Sequence, residues 1–153
     1  MGIQSTVAVV DKVWGANYSH KAMAGAALGQ RPPLSDYEGP PVLKTEPNCV
    51  FCQIVAGQSP ARFRYLDNDI TVIVNKLTWV PLMLLVMPKE HLSQIQMWSS
   101  GLLTRLGNVA VDMGAMFAPN GFRILSNFGH DGMQSQSHGH LHVIGGQHLG
   151  PYA

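Results

Sequence analysis

Short apolar runs separated by turn-forming residues dominate the chain after its first third. Phe63 to Leu66 and Ile70 to Val74 are rich in strand-forming residues, and Asp67-Asn68-Asp69 between them favours a turn. This pattern predicts a β-hairpin. The continuous apolar run Leu82 to Met87 has the length of a buried strand, and Pro88 follows it.

A helical repeat follows. A helical region begins within Leu92 to Met97, and a longer helix then shows one apolar face, made of Leu102, Leu103, Leu106, Val109, Ala110, Met113 and Phe117. Phe122 to Ser126 and Leu141 to Ile144 indicate two more strands. Cys52 to Gly57 predicts a short helix that ends at a glycine. Together these elements predict an α+β fold: a mainly antiparallel sheet, one long helix and a short N-terminal helix.

The first 47 residues have a different pattern. Thr6 to Val10 could form a short strand, and the small-residue stretch Trp14 to Gln30 a weak helix. Residues 31–41 contain four prolines, which excludes a regular element there. We therefore predict an N-terminal arm of unassigned role at 1–47, followed by one domain at 48–153.

Composition and charge exclude several classes of protein. The chain has 153 residues, of which 46% are hydrophobic and 12% charged, as in a globular enzyme. A net charge of +1 argues against bulk binding to nucleic acid. No apolar run is long enough to span a membrane, and the N-terminus lacks a signal-peptide pattern. With one Cys-x-x-Cys pair, these features favour a reducing compartment, and we expect a cytoplasmic protein.

Three histidines alternate with other residues near the C-terminus. In a strand, His138, His140 and His142 would share one face, while Leu141 and Val143 would point into a core. Imidazoles in a row can bind metal, transfer protons or attack phosphorus. The alternative is a chance run, or a short metal-binding tract.

His140, the middle histidine, is our candidate nucleophile, because a neutral imidazole is nucleophilic at pH 7. Attack on phosphorus also requires hydrogen-bond donors for the phosphate oxygens. Gln134, Ser135 and Gln136 directly precede the histidines, and Asn127 ends the preceding strand, so these four could contact a phosphate or a leaving group. The alternative is an ordinary solvated turn.

A second group of residues suggests a metal site. Cys49 and Cys52 have the spacing of half a zinc site, and His91 and His138 could complete a structural Cys₂His₂ centre. The alternative is two buried free thiols, with the two histidines hydrogen-bonded to each other.

The motifs together resemble the histidine triad (HIT) family. The family signature is matched by His138 to Ile144, where Gly139 replaces the first apolar residue. Cys49 to Gly57, Leu85 to His91 and Arg123 to Gly129 also resemble family motifs. The Gln-Ser before the triad and the Gly-Gly after it look most like the Hint branch of nucleotide phosphoramidases.

The resemblance implies an α+β homodimer that forms a nucleotidyl-histidine intermediate. His140 would attack the α-phosphorus, His142 would hydrogen-bond the phosphate, and Ser135 would assist the leaving group. Asn127 and Gln134 would contact the phosphate or the leaving group. The implied nucleoside pocket is lined by Val50, Phe51, Ile54, Ile73 and Asn75.

Three further features of the family bear on this chain. Related proteins hold zinc with a cysteine pair, a later histidine and the first triad histidine, as Cys49, Cys52, His91 and His138 would. Asn75 stands where an aspartate often binds ribose, and Met83 where a histidine is frequent.

The leading functional hypothesis is a nucleoside phosphoramidase or nucleotidyl hydrolase acting on an AMP- or GMP-linked conjugate. The enzyme alternatives are a dinucleoside polyphosphate hydrolase and a nucleotidyl transferase. An alternative of another class is a nucleotide-binding scaffold whose triad is vestigial.

Overall fold

A computed structural model describes residues 44–151. The strand and helix predicted at 6–10 and 14–30, and all but the last residues of the arm at 1–47, lie outside this range. The described elements are α1 (Val50–Val55), β1 (Phe63–Leu66), β2 (Ile70–Val74), β3 (Leu82–Pro88), α2 (Gln94–Ser99), α3 (Leu103–Phe117), β4 (Phe122–Leu125) and β5 (Leu141–Gly145).

The five strands form one sheet in the order β1-β2-β3-β5-β4, and every neighbouring pair is antiparallel. The predicted α+β fold with an antiparallel sheet, one long helix and a short N-terminal helix is therefore confirmed. Within residues 44–151, no helix has the length and apolar character needed to cross a membrane.

The β1–β2 hairpin forms where the sequence predicts it. The Asp67 carboxylate accepts hydrogen bonds from the backbone N–H groups of Asp69 and Ile70, at 2.8 and 2.7 Å, which closes the turn. Arg105 on α3 pairs with both aspartates and so connects the hairpin to the long helix.

The sheet has a helix layer on one face and α1 on the other. On the first face, alternate strand residues pack against Met97 of α2 and against Leu106, Ala110 and Met113 of α3. Leu141 and Val143 belong to this core, as predicted. On the second face, a separate cluster joins strand residues to α1; it comprises Cys49, Phe51, Cys52, Ile54, Phe63, Ile73, Leu85 and Met87.

Two local predictions need correction. The short helix begins at Val50 rather than Cys52, with Cys49 as its N-cap, so both cysteines lie in its first turn. The last strand begins at Leu141, as predicted, but of the three histidines expected to share one strand face only His142 lies in it. His138 pairs in an isolated bridge with Ser93. The reason is local: the Gly139 N–H donates to Leu92 O at 2.6 Å, so the segment before β5 pairs with the chain entering α2.

Gly139, the departure from the family signature, lies where a side chain has no room. A Cβ there would come within 2.9 Å of both Ser93 O and Met97 Cβ. We expect Gly139→Ala to lower the free energy of unfolding by about 1–3 kcal/mol, because backbone must move to admit the methyl group. Urea denaturation would measure the change. Gly101→Ala, whose Cβ would meet nothing within 4 Å, is the matched control. Equal stability of the two variants would contradict this account.

Candidate active site and metal centre

The His140 ring is fixed in one tautomer. Its Nδ1 lies 2.8 Å from the His138 carbonyl oxygen, which can only accept a hydrogen bond, so Nδ1 carries the proton and Nε2 has the free lone pair. His140 Nε2 lies 3.2 Å from His142 Nε2, so the His142 Nε2–H donates to it. Burial lowers the pKa of His140, and burial followed by the nearby His140 lowers the pKa of His142 to about 4. Both rings are therefore neutral at pH 7.

Gln94 holds the backbone of His140 on both sides. Its Oε1 accepts from the His140 N–H at 2.9 Å, and its Nε2 donates to the His140 carbonyl at 3.0 Å. The Ser126 hydroxyl donates to the same carbonyl at 3.1 Å. Gln94 therefore makes the hydrogen bonds to the His140 N–H and carbonyl that a neighbouring strand would make within a sheet.

The sequence interpretation did not identify Gln94. One signal was present: Gln94 is three residues before Met97, so both side chains lie on the same face of α2 and point into the protein. Only 2% of Gln94 is exposed. A buried amide at such a position requires hydrogen-bond partners, and the adjacent histidine segment supplies them.

A cavity of about 610 Å³ opens beside the histidines. The predicted catalytic residues that line it are His140, His142 and Ser135, together with Gln136. All five residues predicted for the nucleoside pocket line it as well, namely Val50, Phe51, Ile54, Ile73 and Asn75. The structure therefore brings these nine residues together around one space large enough for a small ligand.

Asn127 and Gln134 do not line this cavity. The Asn127 amide donates to Gly132 O, while Gln134 accepts from Gly129 N–H at 2.9 Å and donates to Gln136 O at 3.0 Å. In this structure both side chains hold the glycine-rich loop before the triad. Their contacts with a ligand stay predictions.

The two departures at Asn75 and Met83 have clear structural settings. Asn75 lines the cavity, and its Oδ1 accepts a hydrogen bond from Leu77 N–H at 3.1 Å. Met83 is buried with Val80 and Ile144 in a small apolar cluster. The side chain at position 83 therefore contributes to packing and supplies no polar group to the site.

The four predicted metal ligands form a buried cluster. The ligand atoms of Cys49, Cys52, His91 and His138 all lie within 4.8 Å of one another. The sulfur–nitrogen distances are 3.3 Å from Cys52 to His91 Nδ1 and 3.6 Å from each cysteine to His138 Nδ1. In a tetrahedral zinc site, the Zn–S and Zn–N bond lengths place sulfur and nitrogen about 3.5 Å apart.

The hydrogen bonding of His138 also suits a metal ligand. Its Nε2 lies 2.8 Å from Pro88 O, which fixes the proton on Nε2 and leaves the Nδ1 lone pair directed at the cysteines. Burial lowers the pKa of His138 to about 4, so the ring is neutral at pH 7. Two thiols and two imidazoles in this arrangement fit zinc, and four protein ligands would make the site structural.

Most of the described chain matches a known protein family. A model of the HIT domain family matches residues 56–149. The chain belongs to the HIT domain family. An uncharacterized HIT-like protein of Chlamydia muridarum is 33% identical over 108 residues, which cover 68% of this chain and 86% of that protein. Protein HitA of Neisseria gonorrhoeae is 30% identical over 102 residues, which cover 64% of this chain and 95% of HitA.

Solved HIT structures share the architecture. A histidine triad protein from Clostridium difficile superposes with a TM-score of 0.65 at 28% identity, covering 71% of this chain and 98% of the other. A HIT family hydrolase from Legionella pneumophila gives a TM-score of 0.63 at 30% identity, covering 67% and 96%. The resemblance seen in the sequence is thus confirmed at the level of the HIT family.

We expect the purified full-length protein to contain about one zinc ion per chain, by elemental analysis, because the cluster supplies four ligands. Cys52→Ser should abolish this binding and lower the midpoint of thermal unfolding. His130→Ala is the control, since the His130 side chain is fully exposed. A zinc content near zero in protein prepared without chelator would refute the metal centre.

Proposed function

We propose that this HIT protein is a nucleotidyl hydrolase, and specifically a phosphoramidase of the Hint type acting on AMP- or GMP-linked conjugates. One observation carries the proposal: the tautomer of His140 leaves an unprotonated Nε2 beside a cavity lined by polar and apolar residues. The apolar side chains suit a nucleoside base, and the polar ones suit a phosphate. A nucleoside monophosphate conjugate presents both.

In the first step, His140 Nε2 attacks the α-phosphorus and forms a P–N bond to the ring. The bond from phosphorus to the leaving amine breaks, and the amine departs with its electron pair. The Ser135 hydroxyl gives the amine a proton and regains one from solvent. The Nε2–H of His142, which donates to His140 in the free enzyme, turns its donation to a phosphate oxygen as the His140 lone pair is used.

In the second step, water attacks the same phosphorus, the bond from phosphorus to His140 Nε2 breaks with its electron pair returning to the ring, and the proton that the water loses passes to solvent. The products are a nucleoside monophosphate and a neutral His140 ring. Throughout, the His138 carbonyl accepts a hydrogen bond from His140 Nδ1–H and so stabilises the positive charge that attack places on the imidazole. Zinc bound at the four-residue cluster would hold His138, and with it this carbonyl, in position.

The relatives support a hydrolase. Solved proteins described as HIT family hydrolases, from Clostridium thermocellum and Legionella pneumophila, match at 28% and 30% identity. The vestigial-scaffold alternative is weaker, because both His140 and Ser135 are present at the cavity. Dinucleoside polyphosphate hydrolysis and nucleotidyl transfer use the same first step and differ in the leaving group and the acceptor. A substrate panel therefore distinguishes them from phosphoramidase activity. A cytoplasmic location stays a prediction.

Replacing the proposed nucleophile should remove turnover. We expect His140→Gly to lower kcat for adenosine 5′-phosphoramidate by about 10⁴-fold or more, because water alone must then attack phosphorus. The rate is measured by chromatographic assay of the AMP that is released. The control is His130→Ala, a fully exposed histidine outside the cavity, which should keep the wild-type rate. Unchanged activity in His140→Gly would contradict the proposed mechanism.

We also propose a homodimer formed along β4. This strand is at the edge of the sheet, and its Ile124 is exposed, as are the nearby Trp98 and Phe128, whose rings lie 5.8 Å apart. These residues line a shallow apolar depression together with α3 residues. An exposed apolar edge strand readily pairs with another strand, and a second copy related by a twofold axis would continue the sheet.

Disrupting this edge should produce monomers. We expect Ile124→Asp to halve the mass measured by light scattering after size-exclusion chromatography, because the charge would be buried between the two copies. Leu77→Asp is the matched control, since Leu77 is 56% exposed and follows β2, three positions from β4 in the sheet. A wild-type mass equal to that of one chain would refute the dimer.

A further inference from the structure

One end of the cavity is positively charged. Arg62 and Lys76 line it, and no Asp or Glu is among its lining residues within the described part of the chain. Neither Arg62 nor Lys76 makes an ion pair with a carboxylate of residues 44–151. Two cations without a carboxylate beside them make an electrostatic site for an anion.

Asn75 adds hydrogen-bond donors at the same end. Its Oδ1 accepts a hydrogen bond from Leu77 N–H at 3.1 Å, and its NH₂ supplies two donors for a ligand. Arg62 and Lys76 likewise present only N–H donors. These three side chains therefore suit a ligand group that accepts several hydrogen bonds, as phosphate does.

This end is separated from the catalytic histidines by two to three strand spacings of the sheet. Phe63, Ile73, Leu85 and His142 form one cross-strand row from β1 to β5. Three strand spacings make this row about 14 Å long. Arg62 precedes β1, three strand spacings from β5, and Lys76 follows β2, two spacings from β5. The Val74 N–H donates to Arg62 O at 2.8 Å, which brings these two segments together. The apolar side chains of Ile73 and Leu85 lie between the two ends.

We propose that Arg62, Lys76 and Asn75 bind a second phosphate of the substrate, esterified to the 2′- or 3′-hydroxyl of the ribose. The orientation rests on the proposed function, in which the reacting phosphorus is at His140 and the nucleoside extends across the cavity. A carboxylate at this end would accept hydrogen bonds from free ribose hydroxyls and repel a phosphate. An amide and two cations instead donate hydrogen bonds to a phosphate and attract its negative charge. Arginine similarly replaces an acidic residue where dinucleotide-binding enzymes accept a ribose phosphate.

Nucleotide binding, measured independently of turnover, tests this proposal. Isothermal titration calorimetry on the full-length protein would compare AMP, ADP, adenosine 2′,5′-bisphosphate and adenosine 3′,5′-bisphosphate. ADP has the same number of phosphates as the bisphosphates but carries both on the 5′ side. We expect one bisphosphate to bind about tenfold to a hundredfold more tightly than AMP and more tightly than ADP, as expected for charge-assisted hydrogen bonds.

Variants identify the groups responsible. Arg62→Met combined with Lys76→Met should bring the ratio of bisphosphate to AMP affinity close to one, and Asn75→Asp should also lower it. Lys44→Met is the matched control, because Lys44 lies outside the cavity lining, and it should preserve the ratio. High salt should weaken the preference, since both cations are exposed.

Two results would overturn the proposal: equal tightening by ADP, which would place the second phosphate on the leaving-group side, or equal affinity for AMP and both bisphosphates. Neither result bears on catalysis. Failure of the proposed function would show instead as AMP binding without turnover of any phosphoramidate.

Discussion

The hydrogen bond between His140 Nδ1 and the carbonyl of His138 determines the chemistry of this site. A carbonyl only accepts, so the bond assigns the ring proton to Nδ1 and directs a free Nε2 lone pair toward the cavity. Gln94 bonds to both the N–H and the carbonyl of His140, so the backbone that carries the ring is held in place. Because these contacts lie in a buried segment, the imidazole is also held neutral at pH 7.

The alternating histidines connect two sites with different chemistry. His138 points its Nδ1 at two cysteines, while its carbonyl orients His140. The four-residue Cys₂His₂ cluster, the proposed nucleophile and the cavity therefore share one short segment and the helix α1, which contributes Cys52 to the cluster and Phe51 to the cavity. Loss of one of the other three cluster residues would therefore disturb the proposed active site through His138 rather than through direct contact with substrate.

Much of the fold and of the candidate site can be predicted from the sequence, because it depends on apolar periodicity and on the chemistry of neighbouring residues. The hairpin, β3 and α3 follow from apolar spacing and turn residues, and the four residues of the Cys₂His₂ cluster follow from residue type. What the sequence could not reveal depends on contacts between distant segments. Ser93 pairs with His138 in an isolated bridge, and Gly139 lies close to the same backbone, so the first two triad histidines precede β5 instead of lying in it. Asn127 has a side chain that could contact a ligand, yet its amide donates a hydrogen bond to Gly132 O in its own loop. The positive end of the cavity likewise arises only when β1 and β2 pair.

The most direct test of the central claim is to trap the covalent intermediate. Wild-type protein would be mixed with adenosine 5′-phosphoramidate, quenched with alkali within milliseconds to seconds, digested and examined by mass spectrometry. Our account predicts an added AMP group on the peptide that contains His138, His140 and His142, with fragmentation locating it at His140. Steady turnover with no adduct at any quench time, or an adduct on His142, would contradict the assignment of His140 as nucleophile.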